Sequence, residues 1–275
     1  MVKKKKELKS VEEIFNLKGK VAVITGGMGM LGTEFTKALV KAGAKVAIYD
    51  IIGKPNEILA EISKHFPVKF FKVDITKKDR VKSATQRLEK MWGVPHVLIN
   101  NAGIDAVPKE GSCPFENYPL DSFLEIYESH VVGAINCCQV IGAKMAKLKR
   151  GSIINIASHY GINPPDQKIY EYRIKDGEKP FFKPLAYGIA KASLIYLTKY
   201  LATHWKDKVR VNSLAPGGVY RGHDPRFVKA YNKKTLLGRM ARKNEYNGAI
   251  LFLASNASSY MTGSTLIIDG GWTAW

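Results

Sequence analysis

The stretch TGGMGMLG, residues 25–32, decides the fold of this chain, because it joins an apolar run, KVAVI, to a helical pattern that ends at Gly43. Gly27, Gly29 and Gly32 fit the spacing G-x-G-x-x-G. Between a strand and a helix, glycines at this spacing let the backbone approach a pyrophosphate, and the helix N-terminus offers free N–H groups to its charge. The context therefore predicts a dinucleotide-binding unit rather than an ordinary tight turn.

Strand and helix patterns alternate along the rest of the chain, which is typical of a parallel sheet covered by helices. Apolar, β-branched runs predict strands at 20–25, 45–50, 68–76, 96–103, 151–158, 210–218 and 264–271. Apolar residues at helical spacing predict helices at 32–44, 55–66, 79–93, 121–149 and 185–206. The sequence thus predicts a Rossmann-like α/β fold, a doubly wound parallel sheet with helices on both faces and ligands at the carboxyl ends of the strands.

The chain shows no internal repeat or linker, so we expect one domain over residues 17–275, preceded by a basic arm at residues 1–16. Two stretches, 159–184 and 217–235, are rich in proline, aromatic and charged residues and show no clean period. Each follows a strand at the end where a ligand should bind. We therefore interpret both as substrate loops.

The composition is that of an ordinary globular protein, with 275 residues of which 45% are hydrophobic and 24% charged. No apolar stretch is long enough to span a membrane, and the charged N-terminus does not resemble a secretory signal, so we expect a cytoplasmic protein without a membrane partner. Cys113, Cys137 and Cys138 indicate reduced thiols, and no Cys/His spacing indicates a metal site.

The net charge of +19 has three explanations. Lysines spread along the chain favour scattered surface charge first. A field that attracts an anionic substrate comes second, and nucleic-acid binding comes last because no recognised nucleic-acid motif is present. The sequence therefore predicts no nucleic-acid partner.

Carboxylates and small residues at strand ends indicate which cofactor binds. Asp50 ends the second predicted strand, where a carboxylate can bind ribose hydroxyls, and it would repel a 2′-phosphate. The sequence therefore favours NAD over NADP. Asp74 ends the third strand and is a candidate partner for the adenine amino group. Asn101, Ala102 and Gly103 end the fourth, where small residues let the backbone pass close to a ribose.

Tyr187 and Lys191 are four residues apart in YGIAK, so they share one face of a predicted helix. An unperturbed tyrosine titrates near ~10, and a neighbouring ammonium favours its phenolate form. Tyr187 could then exchange a proton with a carbonyl/alcohol pair during hydride transfer. Ser158, just after the fifth strand, could bond the substrate oxygen.

These motifs together resemble the short-chain dehydrogenase/reductase family, in its compact branch, from about residue 17 to the end. The likeness rests on LKGKVAVITGG, VDIT, NNAG, GSIINIAS, YGIAK, RVNSLAPGG, LGRMA and IIDGG. It implies an NAD-dependent oxidoreductase that interconverts a secondary alcohol and a ketone. Carried over by position, the family's catalytic residues fall on Ser158, Tyr187 and Lys191.

The resemblance also implies the residues around the cofactor, with Lys191 bonded to the nicotinamide ribose. The implied cofactor-binding residues are Gly26, Gly29, Met30, Leu31, Asp50, Asp74, Ile75, Asn101, Ala102, Gly103, Tyr187, Lys191, Pro216, Gly217 and Val219. Family members usually form tetramers through two helices, here 121–149 and 185–206, and the last strand, so we expect a homotetramer. The terminal WTAW is too apolar for a free tail and should pack on this chain or a neighbour.

Three departures from the family pattern concern the site. Met30 stands where the compact branch has glycine, and Gly29 can supply the close approach one position earlier, with the N–H groups of Met30 and Leu31 near the pyrophosphate. His130 stands where the family has an asparagine that helps hold a water in a proton relay. It either acts in that relay as a catalytic residue or only packs there. The gap between Ser158 and Tyr187 is longer than usual.

The TGGxGxxG turn, the long insert, LGRM and GGWTAW are similar to a subgroup implicated in surface-carbohydrate and flagellin-glycan biosynthesis, which implies a sugar-phosphate or nucleotide-sugar substrate. The substrate loops offer cations to an anion and aromatic rings to a sugar, or else carry solvated charges. These loop residues are Arg173, Lys175, Lys183, Arg221, His223 and Arg226, and Tyr170, Tyr172 and Phe181. Alternatives are a polyol or sugar dehydrogenase, a 3-oxoacyl reductase, or a cofactor-binding scaffold without turnover.

Overall fold

A computed structural model describes most of the chain, namely residues 10–104, 112–175 and 179–275. Residues 1–9 of the predicted arm lie outside the described residues. The end of that arm forms a short helix, α1 (Val11–Phe15). The Ser10 hydroxyl accepts from the Glu13 N–H at 3.2 Å, and the Glu13 carboxylate accepts from the Ser10 N–H at 2.8 Å. This reciprocal cap starts the helix inside the stretch predicted as an arm.

Seven parallel strands form one sheet in the order β3-β2-β1-β4-β5-β6-β7, which confirms the predicted doubly wound, Rossmann-like fold. The strands are β1 (Val21–Thr25), β2 (Lys45–Asp50), β3 (Val68–Lys72), β4 (Val97–Asn100), β5 (Ser152–Ile156), β6 (Arg210–Pro216) and β7 (Thr265–Ile268). The order reverses beside β1 and β4, so the crevice above their carboxyl ends is where such sheets bind ligands.

Helices cover both faces of this sheet. They are α2 (Met30–Lys41), α3 (Glu57–His65), α4 (Lys78–Trp92), α5 (Leu120 to Lys147), α6 (Tyr172–Lys175), α7 (Leu185–Trp205), α8 (Pro225–Asn232) and α9 (Asn247–Ala254). Two stretches of α5 are π-helical, Glu128–Val132 and Cys138–Gly142. In the part of the chain that the structure describes, no helix combines the length and apolar character needed to cross a bilayer.

Alternate residues of β1 enter two separate hydrophobic cores, one on each face of the sheet. Ala22 and Ile24 pack with residues of α2, α3 and α9, whereas Val21 and Val23 pack with residues of α4, α5 and α7. Because both faces are covered, the central strand is buried along its whole length. This double burial explains why the strand appears in the sequence as a continuous apolar run.

Five strands were predicted to extend two to four residues too far, since the predicted ends at 76, 103, 158, 218 and 271 correspond to Lys72, Asn100, Ile156, Pro216 and Ile268. The strand predicted at 68–76 ends at Lys72, and Asp74 instead turns the chain by accepting bonds from the N–H and hydroxyl of Thr76 at 2.9 and 2.7 Å. The last strand ends at Ile268, because Gly270 and Gly271 follow with positive φ angles of 69° and 87°.

The stretches predicted as irregular loops contain helices. Within 217–235, α8 begins at Pro225, and the Asp224 side chain caps it by accepting from the Arg226 N–H at 2.8 Å. Proline at the first helical position after an aspartate is a helix-start signal that the loop prediction overlooked. Helix α9 was also not predicted.

Candidate active site

A cleft of about 600 Å³ opens at the carboxyl ends of β1, β4, β5 and β6, and it contains most of the predicted site residues. The predicted residues that line it are Gly26, Gly29, Met30, Leu31, Asn101, Ala102, Gly103, His130, Ser158, Tyr187, Lys191, Pro216, Gly217 and Val219. Asp50, Asp74 and Ile75 do not line it. The structure thus brings together the turn after β1, the end of β4 and the YGIAK helix.

The glycine turn after β1 is packed so tightly that side chains would not fit. A Cβ on Gly26, whose φ is 61°, would lie 2.7 Å from the Ala102 Cα, and one on Gly32 would lie 2.5 Å from the Gly27 Cα. Helix α2 begins there, and its N-cap residue, Gly29, has no side chain to cap it. The first N–H groups of α2 are therefore open to a ligand anion, which fits the pyrophosphate of a dinucleotide.

Met30 does not obstruct this turn. Its side chain is 37% exposed at the cleft rather than packed in the core. A Cβ on Gly29 would meet only the Gly26 carbonyl oxygen, at 3.4 Å, which is an ordinary contact. The protein itself therefore does not require glycine at position 29, and close approach to a ligand remains the predicted reason for it.

Asp50 is fixed by the backbone of the same turn. Its Oδ2 accepts from the Met28 N–H at 2.9 Å and its Oδ1 from the Ile52 N–H at 3.0 Å. The carboxylate is buried and lies just outside the cleft lining. Ile75, in turn, packs against Gly133, where a Cβ would lie 2.5 Å from its Cδ1.

The end of β4 is tied to the glycine turn. The Asn101 side-chain amide donates to the Thr25 and Gly26 carbonyls at 3.1 and 3.0 Å. The Thr25 hydroxyl accepts from the N–H groups of Asn101 and Ala102 at 3.0 and 3.1 Å. These four bonds hold two walls of the cleft at a fixed separation.

Ser158, Tyr187 and Lys191 meet in the cleft from β5 and α7. The Lys191 ammonium is buried and donates to the Ile156 carbonyl at 2.8 Å. It lies 5.5 Å from the centre of the Tyr187 ring, and the Lys183 ammonium lies 4.7 Å from the same centre. Two cations therefore flank one tyrosine, which favours its phenolate form.

His130 lies beside this tyrosine, on the first π-helical stretch of α5. Its Nε2 lies 2.8 Å from the Ile104 carbonyl oxygen, so Nε2 carries the hydrogen and donates it. Its Nδ1 is buried with no partner among the described residues. Burial, followed by the charge of Lys191, lowers the pKa of His130 to about 3. The ring meets the Tyr187 ring edge to face at 5.7 Å.

A cluster of four aromatic rings that the sequence did not reveal forms an aromatic wall, and three of them, His159, Tyr160 and Tyr231, line the cleft. We define it as His159, Tyr160, Tyr231 and Trp272, whose rings contact one another. Trp272 is buried, as expected for the apolar end of the chain, whereas the Trp275 ring is largely exposed. The only available sequence signal was the i, i+4 pair Phe227 and Tyr231 after the capped start of α8.

The aromatic wall also holds the turn after β6. The Tyr231 hydroxyl accepts from the Gly218 N–H at 2.6 Å. The His159 Nδ1 lies 3.1 Å from the Pro216 carbonyl oxygen, so it carries the hydrogen. The turn predicted to lie beside the nicotinamide is therefore positioned by side chains from distant parts of the sequence.

The substrate loops bring only some of their predicted residues to the cleft. Those that line it are Arg173, Lys183, Arg221, His223, Tyr170, Tyr172 and Phe181. Arg226 instead pairs with Asp224 at 2.7 Å and does not line the cleft, because the cap of α8 holds that aspartate beside it. The side chain of Lys175 lies outside the described residues.

The buried histidines predict how stability depends on pH. Burial lowers the pKa of His159 to about 4 and that of His130 to about 3, whereas both should titrate near ~6.5 in the unfolded chain. Below that value the unfolded state binds more protons, so the free energy of unfolding falls as pH decreases. We expect urea unfolding to show a loss of about 2 kcal/mol per histidine between pH 7 and pH 5. The variant His159→Gln should lose about 2 kcal/mol less than the wild type over the same interval, and a pH-independent wild type would contradict the prediction.

Comparison with known proteins agrees with this geometry. A family model described as short chain dehydrogenase matches residues 20–171, and one described as enoyl-(acyl carrier protein) reductase matches residues 175–273. The chain is 31% identical over 275 residues to the NADP-dependent mannitol dehydrogenase of Alternaria alternata, with 95% of each chain covered. It is 28% identical over 271 residues to the NAD-dependent glycerol dehydrogenase of Listeria innocua, covering 96% of this chain and 98% of that one.

A solved structure shares the fold over the same extent. This is the gluconate 5-dehydrogenase from Burkholderia cenocepacia in complex with NADP and tartrate, with a TM-score of 0.83 and 27% identity, covering 97% of this chain and 100% of that one. Nearly the whole chain is thus matched in both sequence and fold. The chain belongs to the short-chain dehydrogenase family.

Proposed function

We propose that this protein is an NAD-dependent dehydrogenase that interconverts a secondary alcohol and a ketone on a sugar or polyol derivative. The observation that supports this most strongly is the meeting of Ser158, Tyr187 and Lys191 in one cleft with the open N-terminus of α2. The named relatives, mannitol and glycerol dehydrogenases, support an alcohol of this class.

Each of the three residues has a role that follows from its position. A bound nicotinamide would supply the hydride acceptor for alcohol oxidation. The Ser158 hydroxyl would hold the substrate oxygen, and Tyr187 would take the hydroxyl proton as the carbon-bound hydrogen leaves as hydride. Lys191, fixed by the Ile156 carbonyl, would keep the phenolate form of Tyr187 accessible and bond the nicotinamide ribose. The aromatic wall would exclude water from the reacting atoms.

The preference for NAD is proposed from Asp50. Its carboxylate is held at the glycine turn by the N–H groups of Met28 and Ile52, and each oxygen keeps a second lone pair for a ribose hydroxyl. A 2′-phosphate placed beside this fixed negative charge would be repelled. Relatives that use either cofactor share this fold, so the preference rests on this residue alone.

We further propose that the substrate carries an anionic group. Arg173, Lys183 and Arg221 line the cleft that contains the reactive centre, with His223 among them. Tyr170 and Phe181 line the same cleft, and their rings would offer aromatic faces to a sugar. A sugar phosphate or nucleotide sugar of glycan biosynthesis fits this chemistry, and so does a sugar acid, the class to which the gluconate of the structural relative belongs. A neutral polyol is the second candidate, favoured by the names of the sequence relatives.

Steady-state kinetics with matched substrates tests the proposal. We expect the specificity constant for mannitol 1-phosphate or gluconate to exceed that for mannitol by about tenfold, since one charged hydrogen bond is worth about that much. Arg221→Gln should reduce this preference. Arg80→Gln, which changes an exposed arginine of α4 that does not line the cleft, is the matched control. NAD should be preferred over NADP throughout.

Other outcomes of the same assay would contradict parts of the proposal. Equal specificity constants for charged and neutral substrates would contradict the proposed anionic group and favour a neutral polyol as the substrate. A preference for NADP would contradict the proposal that Asp50 selects NAD. Saturable NAD binding without turnover of any sugar or polyol would favour a cofactor-binding scaffold.

The proposed homotetramer rests on two helices whose apolar side chains face solvent in the single chain. Leu120 and Leu124 on α5 are 75% and 59% exposed, and Tyr196 and Tyr200 on α7 are 71% and 56% exposed. Large exposed apolar side chains gathered on adjacent helices are typical of a subunit interface.

A further inference from the structure

A second cleft, of about 530 Å³, lies at the opposite edge of the sheet, where the amino ends of β1, β4, β5 and β6 meet. We define the amino-edge cleft by its cations, which are Lys20, Lys149, Arg150, Lys206, Lys208 and Arg210. Asp207 is the one carboxylate among the described residues that line it. The cleft is therefore strongly positive.

None of these six cations has an ion-pair partner among the residues that the structure describes, but Arg210 is held by hydrogen bonds. Its guanidinium donates to the Leu253 and Ser255 carbonyls at 3.0 Å each and to the Ser258 hydroxyl at 2.8 Å. It is thus part of the scaffold beneath the cleft. The five others keep their donors available.

Two of the free lysines have an unusual backbone conformation. Lys149 and Lys206, with φ angles of 50° and 43°, are the two positive-φ residues other than glycine in the described part of the chain. Such angles favour glycine, and a lysine there costs stability. Both residues follow helix ends, α5 and α7, and both line the amino-edge cleft. The turns that end the two helices favour glycine or asparagine at such angles, so the turns themselves do not explain the two lysines.

The favourable interaction of a cation with a helix C-terminus does not explain the whole cluster. It would account for a charge near the ends of α5 and α7. It does not apply to Lys20, which precedes β1, and it does not explain why charges from two helix ends and from the start of β1 line one cavity.

A neutral histidine adds a donor to the cleft. The His96 Nδ1 accepts from the Val21 N–H at 3.2 Å, so its hydrogen is on Nε2. Burial, then the charges of Arg150 and Lys20, lower the pKa of His96 to about 4. Its titration therefore reports the electrostatic potential of the cleft.

We propose that the amino-edge cleft is a second ligand site, which binds a polyphosphate group, either free or carried by a nucleotide. The cations converge on a cavity of small-molecule size rather than forming a stripe, which disfavours nucleic acid. Tyr260, fully exposed at the rim, is available to stack on a base. The site is separate from the candidate active site, because Lys191 and Lys206 lie about 22 Å apart along α7, at 1.5 Å per residue.

Calorimetry with sodium tripolyphosphate tests this site in the full-length protein saturated with NADH, which keeps the cofactor cleft occupied. We expect saturable binding that weakens at least tenfold in Lys149→Gly/Lys206→Gly. The same variant should unfold at the wild-type temperature or above it, because glycine relieves the strained angles. Its kcat should be unchanged. Lys69→Gln/Lys82→Gln removes the same net charge from exposed lysines elsewhere, which have no ion-pair partner among the described residues, and should bind like the wild type.

Further measurements distinguish free polyphosphate from a nucleotide, and some of their outcomes would contradict the proposed site. Filling the cleft should raise the pKa of His96, which NMR can follow. Tighter binding of ATP than of tripolyphosphate, lost in Tyr260→Ala, would identify a nucleotide, whereas equal binding would identify the phosphates alone. No saturable binding, an equal loss in the control variant, or binding of duplex DNA without tripolyphosphate would each overturn the proposal.

Discussion

Replacing Tyr187 by phenylalanine is expected to lower kcat about a thousandfold while leaving the dissociation constant for NAD unchanged. The substitution removes one oxygen, and that oxygen is the group proposed to exchange the proton of the alcohol. Loss of a positioned acid or base typically costs a factor of about 10²–10⁴. The ring itself should stay in place, because it packs between Lys183, Lys191 and His130.

The measurement is steady-state turnover with the best substrate of the panel, together with NAD titration by fluorescence. Tyr260→Phe is the matched control, because Tyr260 is fully exposed and does not line the cleft. It should leave both constants unchanged. If Tyr187→Phe kept more than about a tenth of wild-type turnover, Tyr187 would not be the proton-exchanging group, whose removal should cost far more.

The parts of the site that the sequence predicted are those made by local patterns. Residues 25–32 contain the strand end, the turn and the helix start within one stretch, so their geometry follows from glycine spacing. Tyr187 and Lys191 share a helix face at four-residue spacing, and both line the cleft. Neither prediction needed knowledge of distant contacts.

The parts that the sequence did not predict depend on tertiary packing. The aromatic wall joins residues that follow β5, lie on α8 and follow β7, and no periodicity connects such distant positions. The amino-edge cleft has the same origin, since its cations precede or follow several different elements. Arg226 was predicted as a candidate ligand residue from its position in a substrate loop. The structure instead pairs it with Asp224 at the cap of α8.

His130 was left with two explanations by the sequence, and its contacts with Gly103 allow them to be separated. A Cβ built on Gly103 would lie 2.0 Å from the His130 Cε1 and 2.2 Å from its Nδ1, far inside contact distance. The imidazole therefore rests directly on the Gly103 backbone. Its Nε2 hydrogen also holds the Ile104 carbonyl, so His130 supports the end of the NNAG turn at two adjacent residues.

Gly103→Ala is therefore expected to destabilise the protein by about 1–3 kcal/mol in urea unfolding, the usual range for overpacking a filled core, and to reduce turnover strongly. The new methyl group must displace the His130 ring and, through it, the Ile104 carbonyl and the face of Tyr187. Gly248→Ala is the control, because a Cβ at that helical position meets nothing within 4 Å. It should be neutral or slightly stabilising.

Combining Gly103→Ala with His130→Ala completes a double-mutant cycle. Removing the imidazole opens space for the methyl group, so the double variant should be more stable than the sum of the two single effects predicts, by about 1–3 kcal/mol. Additive effects would show that the ring does not constrain Gly103. Turnover separates the two explanations of His130. If the histidine only packs, the double variant regains most of the activity lost in Gly103→Ala, because the NNAG turn relaxes to its original position. If the buried Nδ1, which has no partner among the described residues, takes part in proton transfer, stability recovers while turnover stays low.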